Sequence, residues 1–347
     1  MKNFLCLLLI FLLLGNMRAQ DKDVTGNVGQ VKLSGLMFGD LFYNVNSLDS
    51  SKKDVNGFNF RRIYITADYT ISERFSSRFR MESSITNGQN IGVFVKDAWL
   101  KWKDIFKGSN LVIGMSPTPA FDVSEGEWGY RSLEKTILDY FGIVSSRDIG
   151  IDLMGKFDEK GSVKYWLKIG NGSGNKPETD KYNRYYGMLQ FNPTDNFIIT
   201  IYGDYNSMPQ KKDVYDGQMK NNSAFVAAGF IDFKQGKTFS VGAEGFLKSQ
   251  QNNFSAAGGA LESQSGFGIS VWAKALLQDN IGIVGRYDIY DPNSDETAKN
   301  DTQGLIIAAV DFKVDPNVSV MPGIEVHTLQ GAKDSDITPR VTFYWGF

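Results

Sequence analysis

Apolar and polar residues alternate along short segments spread over most of this 347-residue chain. In residues 163–169 and 267–275 every second side chain is apolar, and those between them are mainly Lys, Ser, Gly or Trp. Successive side chains of a β-strand point to opposite faces of its sheet, so this period of two predicts strands with one apolar and one wet face. The pattern recurs in residues 62–69, 148–156 and 340–347. The chain is therefore predicted to be an all-β protein.

The composition narrows the surroundings of such a sheet. Aromatic residues make up 13% of the chain and its mean hydropathy is −0.26. The chain is richer in aromatic residues than an ordinary water-soluble enzyme and more polar than a helical membrane protein. After residue 19, the longest aliphatic run, Leu305 to Val310, is far shorter than the roughly 20 residues that a membrane-spanning helix needs. Strands with one apolar face instead suit a sheet between lipid and water.

Sixteen segments carry the strand pattern, an even number that places both chain ends on one side of a closed antiparallel barrel. Their connections alternate between short and long, which is typical of outer-membrane barrels with short periplasmic turns and long extracellular loops. A soluble sandwich or propeller buries its apolar faces and has no reason to sort connections by length. We therefore predict a transmembrane β-barrel over residues 31–347. Its strands are predicted near residues 31–44, 58–69, 75–85, 93–102, 110–116, 148–157, 162–170, 184–191, 197–206, 224–233, 238–247, 266–277, 281–290, 303–314, 318–328 and 340–347.

The start of the chain has the features of a secretory signal peptide. A basic residue, an apolar run of eleven residues and a small residue at position 19 follow one another. Residues 1–19 are thus predicted to be a cleaved signal peptide, and residues 20–30 a short N-terminal segment. The only cysteine, Cys6, lies in the leader, so the mature chain has none. Export and the barrel pattern together predict the bacterial outer membrane as the destination, with its lipids around the barrel.

Several function classes are disfavoured by the remaining composition. The leader holds two of the 37 basic residues and none of the 39 acidic ones, so the mature net charge is about −4, which argues against nucleic-acid binding. One histidine leaves little for metal binding or nucleophilic catalysis. His327 shares a strand face with Glu325, but the sequence places no serine beside it. We predict neither an enzyme nor a cofactor.

The last strand ends on an aromatic residue. Phe347 shares one face with Val341, Phe343 and Trp345. This ending resembles the signal by which the barrel assembly machinery recognises outer-membrane barrels. Pro322, within the fifteenth strand, lacks a backbone donor and predicts a bulge or a displaced strand end.

The predicted strand number also bears on the interior. Sixteen strands leave an aqueous channel, whereas about eight are filled by their own side chains. The longest connection, Pro117 to Arg147, is the third long loop, and residues 132–141 predict a short amphipathic helix that begins at Ser132. Its aliphatic side chains need a surface to pack against, so the loop is predicted to fold into the pore.

Charges of opposite sign are predicted to meet where this loop crosses the lumen. The loop is mainly acidic, while Arg62, Arg78 and Arg80 lie on the lumen face of the second and third strands. Together they would form a constriction whose transverse field orients charged solutes. In the alternative arrangement, the arginines pair with Asp68 and Glu82 of the wall. The predicted constriction comprises Arg62, Arg78, Arg80, Glu125, Glu127, Arg131 and Asp139.

Four segments stand out along the barrel, at residues 31–40, 61–64, 96–102 and 112–119. Together they resemble the phosphate-selective porin O and P family of Gram-negative outer membranes. The resemblance implies a homotrimeric, sixteen-stranded channel with an inward-folded third loop. Phosphate-specific members carry a ladder of pore arginines and a lysine cluster, whereas the mature chain here has ten arginines.

These features predict a water-filled channel for the passive diffusion of small hydrophilic solutes and ions. Two alternatives remain open. A phosphate- or anion-selective channel would differ in being blocked by phosphate at low concentration. A surface adhesin or structural barrel would bind a partner through its long loops and need not conduct.

Overall fold

The computed structural model describes residues 28–85, 91–255, 259–294 and 300–347. The predicted signal peptide and most of the short segment after it lie outside these residues. Sixteen strands close into one barrel, and two short ones, β10 and β11, form a separate hairpin. In chain order the strands are β1 (Val31–Tyr43), β2 (Asn56–Thr70), β3 (Phe75–Ile85), β4 (Ile91–Phe106), β5 (Ser109–Pro117), β6 (Arg147–Lys156), β7 (Val163–Gly170), β8 (Arg184–Thr194), β9 (Phe197–Asn206), β10 (Lys211–Lys212), β11 (Met219–Lys220), β12 (Ala224–Gln235), β13 (Phe239–Ser255), β14 (Leu261–Gln278), β15 (Ile281–Asp291), β16 (Gln303–Asp315), β17 (Val318–Leu329) and β18 (Asp336–Gly346).

The barrel is antiparallel throughout. Each barrel strand pairs with the barrel strands before and after it in the chain, so that β9 pairs with β12. The ring closes where β1 pairs with β18. Turns of two to six residues connect the strands at one end, whereas the connections at the other end include 44–55, 118–146, 171–183 and 207–223. No helix among the described residues is long and apolar enough to cross a membrane. The predicted sixteen-stranded antiparallel barrel is confirmed.

Alternate side chains along the barrel strands face outward and are apolar. On β9, Ile201 is 58% exposed, while its neighbours Thr200 and Tyr202 are buried on the lumen side. Leu33 on β1 and Ile269 on β14 are likewise more than half exposed. An outer face of exposed aliphatic side chains is the surface that a barrel presents to lipid.

The largest disagreement with the predicted strand ends concerns residues 248–265, where the sequence pattern predicts a loop. Here β13 continues to Ser255 and β14 begins at Leu261. Gln250 still pairs with Gln264 within this extension. Both faces of these residues carry mainly Ser, Asn and Gln, so no alternation marks them. The alternation of apolar and polar residues reveals a strand only where one of its faces is apolar. The backbone hydrogen bonds between β13 and β14 continue beyond the end of that apolar face.

Pro322 does not insert a residue into β17. The pairs Ala309↔Gly323 and Phe312↔Val320 keep the same register with β16 on both sides of it. The bulge predicted from this proline is therefore not found, and the register of these two strands shifts only beside their turn. One missing donor is tolerated because the ladder resumes on either side.

The seam between β1 and β18 depends on two glycines. Gly35 exchanges backbone hydrogen bonds of 3.0 Å with Phe347, and a side chain on Gly35 would collide with the Phe347 ring. Gly39 makes the same room for Phe343, which packs edge-to-face on Phe60 with ring centres 5.5 Å apart. Phe347 itself is exposed on the outer surface. The aromatic side chains at the end of the chain thus pack against positions of β1 that have no side chain.

One buried carboxylate holds the β10–β11 hairpin. Asp213 accepts hydrogen bonds from the Lys220 ammonium and from the backbone amides of Tyr215, at 2.8 Å, and Leu261, at 3.2 Å. These donors, with Lys220 contributing most, lower the pKa of Asp213 to about 2. The bond to Leu261 ties the hairpin to the start of β14.

Acid is expected to loosen this hairpin. Because the pKa of Asp213 in the folded hairpin lies below its ordinary value of 3.8, its contribution is complete above that value and is lost as the pH falls towards 2. Hydrogen-exchange protection of the Leu261 amide should therefore decrease between about pH 5 and pH 2. Asp213→Asn should lower that protection already at neutral pH and abolish its dependence on acid. Equal protection in both proteins would contradict the role of Asp213.

Candidate functional site

The connection from β5 to β6, residues 118–146, lies inside the barrel. It contains two short helices, α1 (Asp122–Trp128) and α2 (Ile137–Tyr140). Its groups contact β2, β12, β13, β14, β17 and β18 from within the lumen. The longest connection of the chain therefore divides the interior.

The predicted helix over residues 132–141 is found only at Ile137–Tyr140, so its predicted start at Ser132 is wrong. In a helix that began at Ser132, the carbonyl of Leu133 would accept a hydrogen bond from the next turn, but here it accepts from the barrel wall. Arg61 and Arg340 both donate to the carbonyl of Leu133, at 2.8 and 2.6 Å. Local helix propensity is overridden here by tertiary hydrogen bonds.

Apolar side chains fasten the loop to the wall of β7–β9 and β12–β17. Ile137 and Leu138 have no exposed surface. One cluster joins loop to wall through Ala120, Phe121, Ile137, Leu138, Val144, Trp166, Tyr186, Met188, Tyr202, Val226, Phe246 and Tyr290. A second cluster does so through Trp128, Leu133, Phe230, Trp272, Val284, Leu305, Ile307, Ala309 and Met321. The loop is thus built on a packed core.

Two tyrosines add polar contacts between loop and wall. Tyr130 donates to Asp311 at 3.2 Å, and the Tyr140 hydroxyl lies 2.9 Å from Nδ1 of His327. Burial, followed by nearby carboxylates, raises the pKa of both tyrosines, so each keeps its proton. Nε2 of His327 lies 2.8 Å from Glu325. The single histidine therefore joins the loop to a wall carboxylate.

A β-bulge in β2 brings two consecutive arginines into the lumen. The register passes from Phe38↔Arg62 to Gly39↔Phe60, which leaves Arg61 as an inserted residue. Both guanidinium groups lie over the Phe38 ring, 5.3 and 5.9 Å from its centre. Strict alternation would turn Arg61 towards lipid, and the bulge re-aims it.

A second bulge lies in β4. The register passes from Arg80↔Asp97 to Met81↔Val95, which leaves Lys96 inserted. Lys96 and Asp97 are consequently both buried on the lumen side. In each bulge two adjacent charged residues interrupt the alternation. That interruption is the sequence signal by which both bulges could have been found.

The wall charges at this level are paired with one another. Nε of Arg62 lies 2.9 Å from one oxygen of Glu82, and Lys96 lies 3.0 Å from the other. Arg78 donates twice to Asp68, at 2.7 and 2.9 Å. For Arg62 and Arg78, the structure thus has the alternative arrangement in which they pair with the wall.

The third predicted arginine shares its carboxylate with the end of the loop. Arg80 lies 3.2 Å from Asp97 and donates to the Thr66 hydroxyl at 2.8 Å. Asp97 also binds Arg147, which follows the loop at the start of β6. Arg147 is a charged residue of the lumen that is not part of the predicted constriction.

The loop carboxylates have two different partners. Arg131 lies 2.8 Å from Glu125 and 3.1 Å from Asp139, so these three predicted residues are together. Glu127 instead pairs with Lys234 on β12, far around the ring from β2 and β3. The structure does not bring Glu127 to the wall arginines, because the neighbouring Trp128 is buried against the far wall.

A cavity of about 460 Å³ remains between the loop and β1–β4. Arg62, Arg131 and Asp139 line it. Arg78, Arg80, Glu125 and Glu127 are not among its lining residues. Among the described residues, no cluster of His, Cys, Asp or Glu could hold a metal ion. The other charged residues that line the cavity are Arg61, Glu82, Lys96, Glu134 and Lys135.

Several solved structures have the same architecture. The outer membrane channel DcaP of Acinetobacter baumannii matches with a TM-score of 0.69 and 11% identity, over 94% of this chain and 100% of that one. The anion-selective porin from Comamonas acidovorans matches at 0.66 and 10%, over 92% and 100%. OmpF of Salmonella typhi, solved with daunomycin, matches at 0.66 and 12%, over 94% and 100%. This chain has the porin fold.

The sequence itself has no such counterparts. No family model matches it, and neither does any curated protein. The resemblance to the phosphate-selective porin O and P family therefore stays a prediction. At 10 to 12% identity the likeness establishes the porin fold alone.

Proposed function

We propose that the chain is a porin of the bacterial outer membrane, which forms a water-filled channel for the passive diffusion of small hydrophilic solutes and ions. The observation that carries the proposal is a closed ring of sixteen strands with an apolar outer face and a charged lumen. Sixteen strands enclose more space than their own side chains fill. The loop of residues 118–146 narrows that space.

Solutes would pass beside β1–β4, where the cavity lies. The charges there are held in pairs by the wall and by the loop. A hydrated solute would therefore meet fixed dipoles of both signs, and its size would decide passage more than its charge. The proposed activity needs no cofactor and no bond chemistry, so we propose a channel and not an enzyme.

An anion-selective channel is the second candidate. Five cationic side chains line the cavity against three carboxylates. An excess of positive charge at a narrow point favours anions over cations. The cationic lining residues are Arg61, Arg62, Lys96, Arg131 and Lys135, and the acidic ones are Glu82, Glu134 and Asp139.

We place the barrel in the outer membrane with its short turns in the periplasm and its long connections outside. Residues 1–19 would be removed on export, lipid would cover the outer face, and the working form would be a homotrimer. The exposed aromatic Phe347 at the end of β18 would be the group that the assembly machinery recognises.

Single-channel recording tests the proposal. The mature chain, refolded and shown to be heat-modifiable, is expected to give discrete openings in a planar bilayer, with a small reversal potential under a salt gradient. Phosphate block at low concentration would favour the anion channel. A folded barrel that never conducts would refute the porin and favour an adhesin.

A further inference from the structure

The two consecutive arginines of the β2 bulge have different partners. Arg61 donates through Nη1 to the carbonyl of Leu133, at 2.8 Å, and through Nη2 to the carbonyl of Ser132. Its Nε lies 2.5 Å from Asp40 on β1. Arg61 therefore connects the wall to the backbone of the loop.

Arg62, one residue further on, makes none of these contacts. Within the described residues its ionic partner is Glu82, and its guanidinium lies over the rings of Phe38 and Tyr64. All of these groups belong to the wall. Arg62 thus contributes a charge to the cavity but no bond to the loop.

A second cation completes the attachment from the other side of the seam. Arg340 on β18 donates to the carbonyl of Leu133 at 2.6 Å and pairs with Glu325 at 2.5 Å. Because β1 lies between β2 and β18, the carbonyl of Leu133 is held from both sides of the barrel closure. Buried hydrogen bonds to charged donors are among the stronger ones in proteins.

We propose that Arg61 is a positioning residue that sets the width of the pore by fixing the loop, whereas Arg62 acts only through its charge. This inference rests on the proposed channel function. Each arginine carries one positive charge into the same cavity. Removal of either should therefore change ion selectivity alike, and only removal of Arg61 should move the loop.

Thiol labelling tests the loop position without requiring conduction. The mature chain has no cysteine, so Ser132→Cys supplies a single thiol at a position that is only 8% exposed. A water-soluble thiol reagent is expected to label it at least about tenfold faster when Arg61 is alanine, because the segment opens more often. Arg62→Ala is the matched control and should leave the labelling rate unchanged. Equal rates in the two variants would overturn the proposal.

Conductance gives the second readout. Arg61→Ala should raise single-channel conductance, roughly twofold, since a wider constriction passes more ions. Arg62→Ala should shift the reversal potential as far as Arg61→Ala does and raise conductance much less, because the loop keeps its position. Arg61→Lys keeps the charge but loses the fork that bonds several groups, so it should resemble alanine in conductance and wild type in selectivity.

The outcomes separate the two claims. Fast labelling in Arg61→Ala from a barrel that never conducts would support the positioning role and reject the porin. Conduction with identical behaviour of Arg61→Ala and Arg62→Ala would support the porin and reject the positioning role. Heat-modifiability of each variant establishes that its barrel is folded. If an Arg61 variant does not fold, Arg340→Ala takes its place. It removes the other donor to the carbonyl of Leu133 and should also increase the labelling rate.

Discussion

Replacing Ile137 and Leu138 together with aspartate is expected to raise single-channel conductance several-fold while the barrel stays folded. Both side chains have no exposed surface and pack between the loop and the wall. Loss of a buried aliphatic side chain of this size costs about 2–5 kcal/mol, and an unpaired buried carboxylate adds to that cost. The loop should therefore leave the wall, whereas the ladder of the barrel strands does not depend on it. Bilayer recording and heat-modifiability measure the two effects.

The control for this experiment adds a carboxylate to the same loop without disturbing its packing. Gly126 on α1 is exposed, and a side chain there would meet open space. Gly126→Asp should therefore keep the wild-type conductance. If the Ile137 and Leu138 variant is folded and conducts like wild type, the loop does not limit the channel.

The second large effect concerns stability. Asp152→Ala is expected to lower the free energy of unfolding by about 3–5 kcal/mol, because it leaves a buried ammonium without its partner. Lys168 and Asp152 are both fully buried and lie 3.1 Å apart. Asp152 also accepts from the Ser116 hydroxyl at 2.6 Å and from the Trp166 indole at 2.7 Å. Urea unfolding from lipid vesicles measures the change.

Two further variants identify the cause. Asp152→Leu combined with Lys168→Met removes both charges and should recover most of the lost stability, because neither member of the pair is left buried without its partner. The exposed pair Lys107 and Glu159, which lie 2.7 Å apart on two neighbouring turns, is the matched comparison, and Glu159→Ala should leave the unfolding curve unchanged. A single Asp152→Ala variant as stable as wild type would show that the wall tolerates a lone ammonium.

The outer face of this barrel could be predicted because lipid imposes one simple requirement on it. Every second residue must be apolar, as at Ile201, wherever a strand crosses the membrane. That requirement gives the strand number, the fold and the approximate strand positions. The requirement does not apply to strand residues outside the membrane, which is why the extensions of β13 to Ser255 and of β14 from Leu261 were not predicted.

The lumen could not be predicted as well, because its contacts join residues far apart in the sequence. Phe230 and Trp272 face inward and are buried under the loop, so an apolar side chain on these strands does not always mark the lipid-facing side. The partners of Arg61 depend on a bulge and on a loop about seventy positions away. The sequence pattern predicts an inward-folded loop and several charges within it, but the pairing of those charges is a property of the closed ring.

The packing of the loop divides the inner wall of the barrel into two regions. We expect these regions to accept different kinds of substitution during evolution. The inner faces of β7–β9 and β12–β17 carry the two apolar clusters, and at those positions a substitution is accepted if it keeps the volume. The inner faces of β1–β4 resemble a wet surface, where a substitution is accepted if it keeps the balance of charge. Exchanges that adapt the proposed channel to other solutes would therefore be concentrated on one quarter of the ring, while the rest changes slowly and conservatively.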